Sequence, residues 1–194
     1  KYFSLKKSTY INLRWIATIG QLVTINAVYF IFNFKFNFIF ANSIILIGVL
    51  SNLYLIYVNQ RTQLVDKIAF FYLLIDISQL SCLIYLTGGI ANPFSIFLII
   101  PSIFSSSNLG FRSNLALVVI STLIVIFLTF FYQPLPNPLN EHYHVSFYYY
   151  YSIPVSLIIA LFFLNYFALT FGIESRLRKE ALNKMEEIMS KEHE

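Results

Sequence analysis

Two places in this sequence carry residue types that could do chemistry within an otherwise apolar chain. One is Asp76, an acidic residue inside a long apolar run. The other is an uncharged turn between two apolar runs, made of Gly88, Gly89, Ile90, Ala91, Asn92, Pro93 and Phe94. Both are candidate sites, and each also has a purely structural interpretation.

The turn predicts a helix end followed by a new helix. Gly88 or Gly89 can adopt the left-handed conformation that ends a helix, and Asn92 is a favoured N-cap. Pro93 suits the first position of the next helix. These preferences account for most of the turn without any ligand.

The structural interpretation does not explain the location of the turn. The turn is uncharged, and Phe94 and Phe97 follow it at the head of an apolar helix. We expect free amides and the positive dipole end of that helix to face a carbonyl oxygen, with aromatic rings beside it. The head group of a lipid-soluble quinone is one ligand with this chemistry.

Asp76 lies eight residues from one end of its predicted span and eleven from the other, near the middle of a bilayer. An aspartate there costs about 2.5–3.5 kcal/mol on insertion scales, so it should face the bundle interior and have a partner. The candidate partners are Gln79, Gln21 and Asn26. Asp76 is then either a proton-linked or ligand-linked site or a residue that fixes helix packing, and we favour the packing role.

The elements that position these residues are predicted to be transmembrane helices. Hydrophobic residues make up 58% of the chain and charged residues 11%. Continuous apolar runs without strand-like alternation favour helices over a barrel. Six spans are predicted, at residues 12–32, 37–58, 68–87, 94–109, 114–132 and 147–172. The fold class is therefore all-α: a six-helix transmembrane domain over 1–172 with a cytoplasmic helical extension over 173–194.

The basic residues predict the orientation of the bundle. Placing both termini in the cytoplasm puts twelve of the 13 Lys and Arg residues, Arg14 among them, on the cytoplasmic side and leaves Lys35 outside. This distribution fits a multi-pass membrane protein in contact with membrane lipid. The net charge of +4 is spread over several segments and forms no stripe for phosphate backbones, so we expect no nucleic-acid partner.

Other reactive residues give no catalytic or metal site. Cys82 lies within the third span and is interpreted as a small packing residue. The three histidines are divided between the outer loop and the C-terminal tail, so they cannot form a metal site together. We therefore expect no metal and assign no catalytic residue in this chain.

The C-terminal segment becomes charged and favours helix. A narrow apolar stripe runs along it through Ile173, Leu177, Ala181, Met185 and Ile188. This stripe fits either a solvated tail or the start of a dimeric signalling helix, because it is too short to establish a coiled coil.

Three segments of the chain resemble the membrane domain of RegB/PrrB-type redox sensor histidine kinases. They are residues 11–17 followed by Gly20 and Gln21, residues 86–94, and residues 174–176 followed by Ala181 and Leu182. In that family a GGxxNPF turn is the quinone-binding motif. All five fixed positions are present here, and Ile90 and Ala91 occupy the two variable ones.

The resemblance implies a parent sensor kinase. Its six-span domain would be followed by a dimerisation helix pair with a phosphoaccepting histidine and by an ATP-binding kinase domain. It also implies a homodimer formed through the C-terminal helix and a cognate response regulator. The chain begins with Lys1 instead of Met, so we expect a piece of a longer protein whose ATP site lies outside it. The family's redox-active cysteine is cytoplasmic, and Cys82 does not match it.

The leading hypothesis is a bacterial inner-membrane input domain that senses the redox state of the quinone pool at residues 88–94, with ubiquinone or a related quinone as the ligand. The alternative is a small proton- or ion-linked transporter that uses Asp76, with Pro101 kinking the fourth helix. A third option is a membrane anchor without a ligand.

Overall fold

A computed structural model describes residues 4–58, 62–134 and 146–192 of the chain. Its α-helices are α1 (Lys7–Phe30), α2 (Phe38–Val58), α3 (Asp66–Leu86), α4 (Ile100–Asn108), α5 (Phe111–Phe130) and α6 (Phe147–Glu192). A 3-10 turn (Gly89–Ala91) and a 3-10 segment (Pro93–Ile99) connect α3 to α4. The all-α class is confirmed.

Two short strands were not predicted from the sequence. Strand β1 (Ser4–Lys6) pairs antiparallel with β2 (Gln63–Val65), which places Ser4 opposite Val65. The Lys7 N–H also donates to the Thr62 carbonyl at 3.0 Å. This small sheet joins the start of α1 to the start of α3.

Four of the six predicted spans are helices long and apolar enough to cross a membrane: α2, α3, α5 and α6. The fourth predicted span is a shorter apolar helix, Pro93–Asn108. Helix α1 has 24 residues, which is long enough to span, but it is not one of the four. Its buried positions include Arg14 and Thr18, which lower its apolar character.

The fourth span differs from the regular helix predicted over 94–109. It begins as a 3-10 helix, and α-helical geometry starts only at Ile100. Pro101 has no N–H to donate to the Phe97 carbonyl four residues earlier, and the Ile100 N–H donates to that carbonyl instead. The 3-10 segment of seven residues is long for this conformation.

The core consists of three apolar clusters within the described residues. One lies where α1, α2 and α3 meet α5, around Leu55, Ile77 and Leu117. A second lies under the α1–α2 loop, around Ala41 and Ile45. The third anchors the α3–α4 connection against α5 and α6, and contains Ile84, Ile90, Leu98, Ile99, Val118, Val125, Leu128, Leu157 and Leu161.

Helix α6 runs without interruption over 46 residues, about 69 Å at 1.5 Å per residue. It crosses the predicted boundary at residue 172 as a helix, and Glu174 accepts a hydrogen bond from Arg178 at 2.6 Å. The predicted apolar stripe is exposed along it, with Ile173, Leu177 and Ile188 all more than half exposed.

Candidate functional site

The backbone of the 88–94 turn follows the conformations that its sequence predicts. Gly88 is left-handed, with φ of 107°, and Gly89 also has a positive φ, of 58°. Asn92 is extended and precedes Pro93, the first residue of the 3-10 segment. The helix end, cap and restart are therefore confirmed.

The Asn92 side chain holds the turn together from within. Its Oδ1 accepts a hydrogen bond from the Phe94 N–H at 2.9 Å. Its Nδ2 donates to the Thr87 carbonyl at 3.0 Å and to Thr87 Oγ1 at 2.6 Å. One buried amide thus joins the end of α3 to the start of the 3-10 segment.

The N–H groups of Phe94 and Ser95 were expected to be free at this helix start, and that expectation is wrong. The Phe94 N–H is occupied by Asn92 Oδ1, and the Ser95 N–H donates to the Asn92 carbonyl at 2.9 Å. Pro93 has no N–H. The sequence identified the cap correctly, but a side-chain cap and a ligand carbonyl compete for the same donors.

The outward face of the turn is aromatic. Phe94 and Phe97 are 41% and 45% exposed, and their rings stack with centroids 5.9 Å apart and an interplanar angle of 27°. On the opposite side of the segment, Ser95 and Leu98 are buried. The turn therefore presents two ring faces to the surroundings and directs its polar groups inward.

The ends of α5 and α6 close the inner side of the turn. A Cβ at Gly89 would lie 2.4 Å from Tyr132 Cβ and 2.8 Å from the Leu128 carbonyl oxygen, so only glycine fits there. Beside it, Tyr150 donates its hydroxyl to the Thr129 carbonyl at 2.8 Å. The backbone of the turn is consequently fixed on both sides.

Asp76 lies at the midpoint of α3 and pairs with Arg14 of α1. Arg14 Nη2 lies 2.8 Å from Asp76 Oδ1, and Arg14 Nε donates to the same oxygen at 2.9 Å. Tyr10 donates its hydroxyl to Asp76 Oδ2 at 2.5 Å. Arg14 also contacts α2, through Ser51 Oγ at 2.5 Å and Asn52 Oδ1 at 3.4 Å.

These contacts correct the partners predicted for Asp76. Gln79 donates to Gln21 at 3.0 Å, and Asn26 donates to the Leu22 carbonyl at 2.7 Å. The predicted requirement for an interior partner is met by a cation instead of an amide. Arg14 was assigned to the cytoplasmic side, but it is 5% exposed and lies within the bundle at the level of Asp76.

The two candidate sites are separate. Ten residues of helix, or about 15 Å, separate Asp76 from Leu86, where α3 ends and the turn begins. Cys82 lies between them and is exposed, so its predicted role as a packing residue is wrong. Its side chain points away from the bundle.

A buried polar network that was not predicted from the sequence joins α4, α5 and α6. Its members are Ser102, Ser105, Asn114, Ser121 and Asn165, all buried. Asparagine within an apolar run is a recognisable signal, because a polar side chain in a membrane helix needs a partner on another helix. Asn165 lies inside the sixth predicted span, seven residues before its end, and is such a residue.

Residues 17–181 match the PilS-like transmembrane domain family. The chain belongs to this family. The match includes Asp76, the turn and the whole of α2 to α5, and it begins after Arg14.

A curated relative gives the context of this PilS-like domain. The chain is 28% identical over 175 residues to the sensor histidine kinase RegB of Cereibacter sphaeroides. The alignment covers 90% of the chain and 38% of that relative, so the chain spans well under half of the relative's length. No solved structure matches the chain.

These comparisons establish the general class of the protein. The chain is a membrane sensor domain of the sensor histidine kinase type and crosses the inner membrane several times. The RegB/PrrB-type resemblance drawn from three segments is confirmed.

Proposed function

We propose that this domain senses the redox state of the membrane quinone pool at residues 88–94 and relays it through α6 to a cytoplasmic kinase domain. The ligand is ubiquinone or a related quinone. The binding residues are Gly88, Gly89, Ile90, Ala91, Asn92, Pro93 and Phe94, and Phe97 extends the contact surface. The kinase passes the signal to a response regulator.

The observation that carries this proposal is the stacked pair of Phe94 and Phe97 beside a rigid turn. Their exposed rings offer an aromatic face of the size of a quinone head group. The GGxxNPF pattern, through its resemblance to the RegB/PrrB type, supports the same ligand. Since Asn92 and the turn already use the amides of Phe94 and Ser95, ring stacking supplies more of the affinity than hydrogen bonding to these amides.

The signal arises from a difference in affinity. A quinone oxygen can only accept a hydrogen bond, whereas a quinol hydroxyl can also donate one, so the two forms bind the same turn with different free energies. A ligand shifts a conformational equilibrium only by that difference. Two packings of the helices around the turn would be biased accordingly.

Asp76 has a structural role in this account. Its carboxylate has a guanidinium and a phenol as partners, which compensates its charge within the bundle. The transporter hypothesis needs Asp76 to exchange protons or ions. It predicts vesicle flux that disappears in Asp76→Asn, whereas the sensor account predicts no flux in either protein.

The membrane arrangement follows from the sensor role. Both termini lie in the cytoplasm, and two copies associate through the exposed stripe of α6 beyond Gly172. The loop between α2 and α3 is then cytoplasmic, and α3 crosses the membrane from it. The turn that follows α3 therefore lies at the outer face of the membrane. A quinone reaches the turn laterally from the lipid, with its isoprenoid tail against the apolar helix faces.

The test is autophosphorylation of the full-length protein in vesicles that contain oxidised or reduced ubiquinone. Phe94→Ala should reduce the quinone dependence of the rate at least tenfold, because it removes one of the two stacked rings. Ile96→Ala is the matched control, since Ile96 is 56% exposed on the same segment and is not part of the stacked pair. Unchanged quinone dependence in Phe94→Ala would exclude the proposed site.

A further inference from the structure

The buried amide of Asn165 connects α6 to both α4 and α5. Asn165 Nδ2 donates to the Ser102 carbonyl in α4 at 2.8 Å, and its Oδ1 accepts from Asn114 Nδ2 in α5 at 3.0 Å. Asn114 Oδ1 in turn accepts from Ser105 Oγ at 2.6 Å. Asn165 is 7% exposed, and the other members of this chain are buried more completely.

A second contact holds α4 and α6 together further along α6. A Cβ at Gly172 would lie 3.2 Å from Ser107 Cα and 3.5 Å from Ser107 Cβ. Gly172 follows Asn165 by seven residues, which is about 10 Å along α6. Helix α4 is therefore in close contact with α6 both at the amide network and at Gly172.

Helix α4 is also the direct continuation of the turn. The 3-10 segment Pro93–Ile99 leads from Asn92 into Ile100, the first residue of α4. A 3-10 helix rises about 2.0 Å per residue and an α-helix about 1.5 Å. Conversion of the seven residues to α-helix would shorten the connection by about 3.5 Å and pull α4 along α6.

The amide network favours a stepwise displacement of α4 over a gradual one. A shift of this size would break the hydrogen bond between Asn165 and the Ser102 carbonyl. An unpaired buried polar group is costly, so intermediate positions are disfavoured and two fully bonded arrangements are preferred. Apolar side chains in the same place would permit gradual sliding.

We propose that Asn165, with Ser102, Ser105 and Asn114, couples the turn to the output helix. The 3-10 segment converts a change at residues 88–94 into an axial shift of α4 along α6, and the amide network makes that shift a switch between two arrangements of the α4–α6 contact. This inference rests on the proposed function for the identity of the signal, but the coupling between α4 and α6 can be tested without any quinone.

The experiment locks α4 to α6 reversibly. Ser107→Cys and Gly172→Cys are combined in the full-length protein in a Cys82→Ser background. The 3.5 Å separation at Ser107 Cβ falls within the range of disulfide-bonded Cβ atoms. Autophosphorylation is measured with and without ubiquinone after oxidation and after reduction, with the reagents removed before each assay. Each single cysteine variant is the control for oxidation itself.

We expect the disulfide to form and to hold the kinase at one rate, with the response to ubiquinone reduced at least tenfold and restored by reduction. An oxidised protein that responds like the reduced one overturns the coupling, and so does failure of the disulfide to form. A kinase that ignores ubiquinone even when reduced, but changes its rate on oxidation, contradicts the quinone proposal and supports the coupling.

A substitution of the amide gives an independent measurement. Asn165→Leu should bind ubiquinone with unchanged affinity while the kinase response falls at least tenfold, because the turn is left intact. Thr170→Val is the matched control, since Thr170 is exposed on α6 and its hydroxyl donates only within that helix, to the Tyr166 carbonyl. A full response in Asn165→Leu would contradict the coupling role.

Discussion

Arg14 of α1 and Asp76 of α3 form an ion pair inside the bundle, with Nη2 and Oδ1 2.8 Å apart. The pair lies at the midpoint of α3, and Arg14 extends it to Ser51 of α2. Three helices are thus joined by one guanidinium. Since the carboxylate would otherwise be an uncompensated charge in the membrane, α1 is required for α3 to tolerate Asp76.

The ion pair predicts strong coupling between the two positions. Arg14→Met alone should destabilise the domain by about 3 kcal/mol, because it leaves a buried carboxylate without a cation. The double variant Arg14→Met with Asp76→Leu should recover most of that loss. Unfolding in mixed detergent with a double-mutant cycle measures the coupling, and Tyr10→Phe, which keeps the ion pair, should cost only about 1 kcal/mol. Additive effects at Arg14 and Asp76 would contradict the assignment.

Gly89 should not tolerate a side chain. Gly89→Ala would bring a Cβ within 2.8 Å of the Leu128 carbonyl and force a residue with φ of 58° to carry a side chain. We expect a loss of more than about 1–2 kcal/mol in unfolding free energy. Gly20→Ala is the control, because a Cβ at Gly20 meets no atom within 4 Å. Equal stability of the two variants would contradict the close packing of Tyr132 and the Leu128 carbonyl against Gly89.

Asn92 should act first as a structural cap. Asn92→Ala removes the acceptor for the Phe94 N–H and both donors to Thr87, and should destabilise the turn by about 1–2 kcal/mol. Thr87→Val removes the Oγ1 acceptor and the hydroxyl's own bond to the Leu83 carbonyl, but it keeps the Thr87 carbonyl and the cap on the Phe94 N–H, so it should cost less. Hydrogen exchange at the Phe94 amide measures the cap directly: exchange should accelerate in Asn92→Ala and remain slow in Thr87→Val. Slow exchange in both would contradict the cap.

The orientation can be tested with single cysteines in a Cys82→Ser background. Lys35 and Arg112 are both exposed, and they are predicted to lie on opposite sides of the membrane, Lys35 outside and Arg112 in the cytoplasm. Lys35→Cys should react with a membrane-impermeant maleimide added to whole cells, and Arg112→Cys only after the membrane is opened. The reverse pattern would invert the bundle and place residues 88–94 on the cytoplasmic side.

Much of the fold could be predicted because its signals are local. An apolar run of about 20 residues specifies a spanning helix wherever it occurs, so most helix positions were found. The 3-10 segment was missed because helix type depends on the spacing of Pro93 and Pro101 and on packing. The strands β1 and β2 have only three residues each, and α1 and α2 separate them in the sequence. No local pattern therefore predicts their pairing.

The candidate sites show the same division. The cap at Asn92 and the left-handed Gly88 follow from intrinsic preferences of neighbouring residues, and both were predicted. Arg14 and Asp76 are 62 positions apart, and their pairing depends on how α1 packs against α3. Counting Arg14 as one of the cytoplasmic-side charges therefore did not reveal that it is buried, because a charge count ignores cations that have a buried acid as partner.

Photolabelling is the most direct test of quinone sensing by the turn. The purified chain in lipid nanodiscs is irradiated with an azido-ubiquinone, and the modified peptides are identified by mass spectrometry. If the turn binds quinone, we expect labelling within residues 88–97 that excess ubiquinone suppresses and that Phe94→Ala reduces at least tenfold. Competable labelling around Asp76 instead, or labelling at 88–97 that ubiquinone does not suppress, would contradict it.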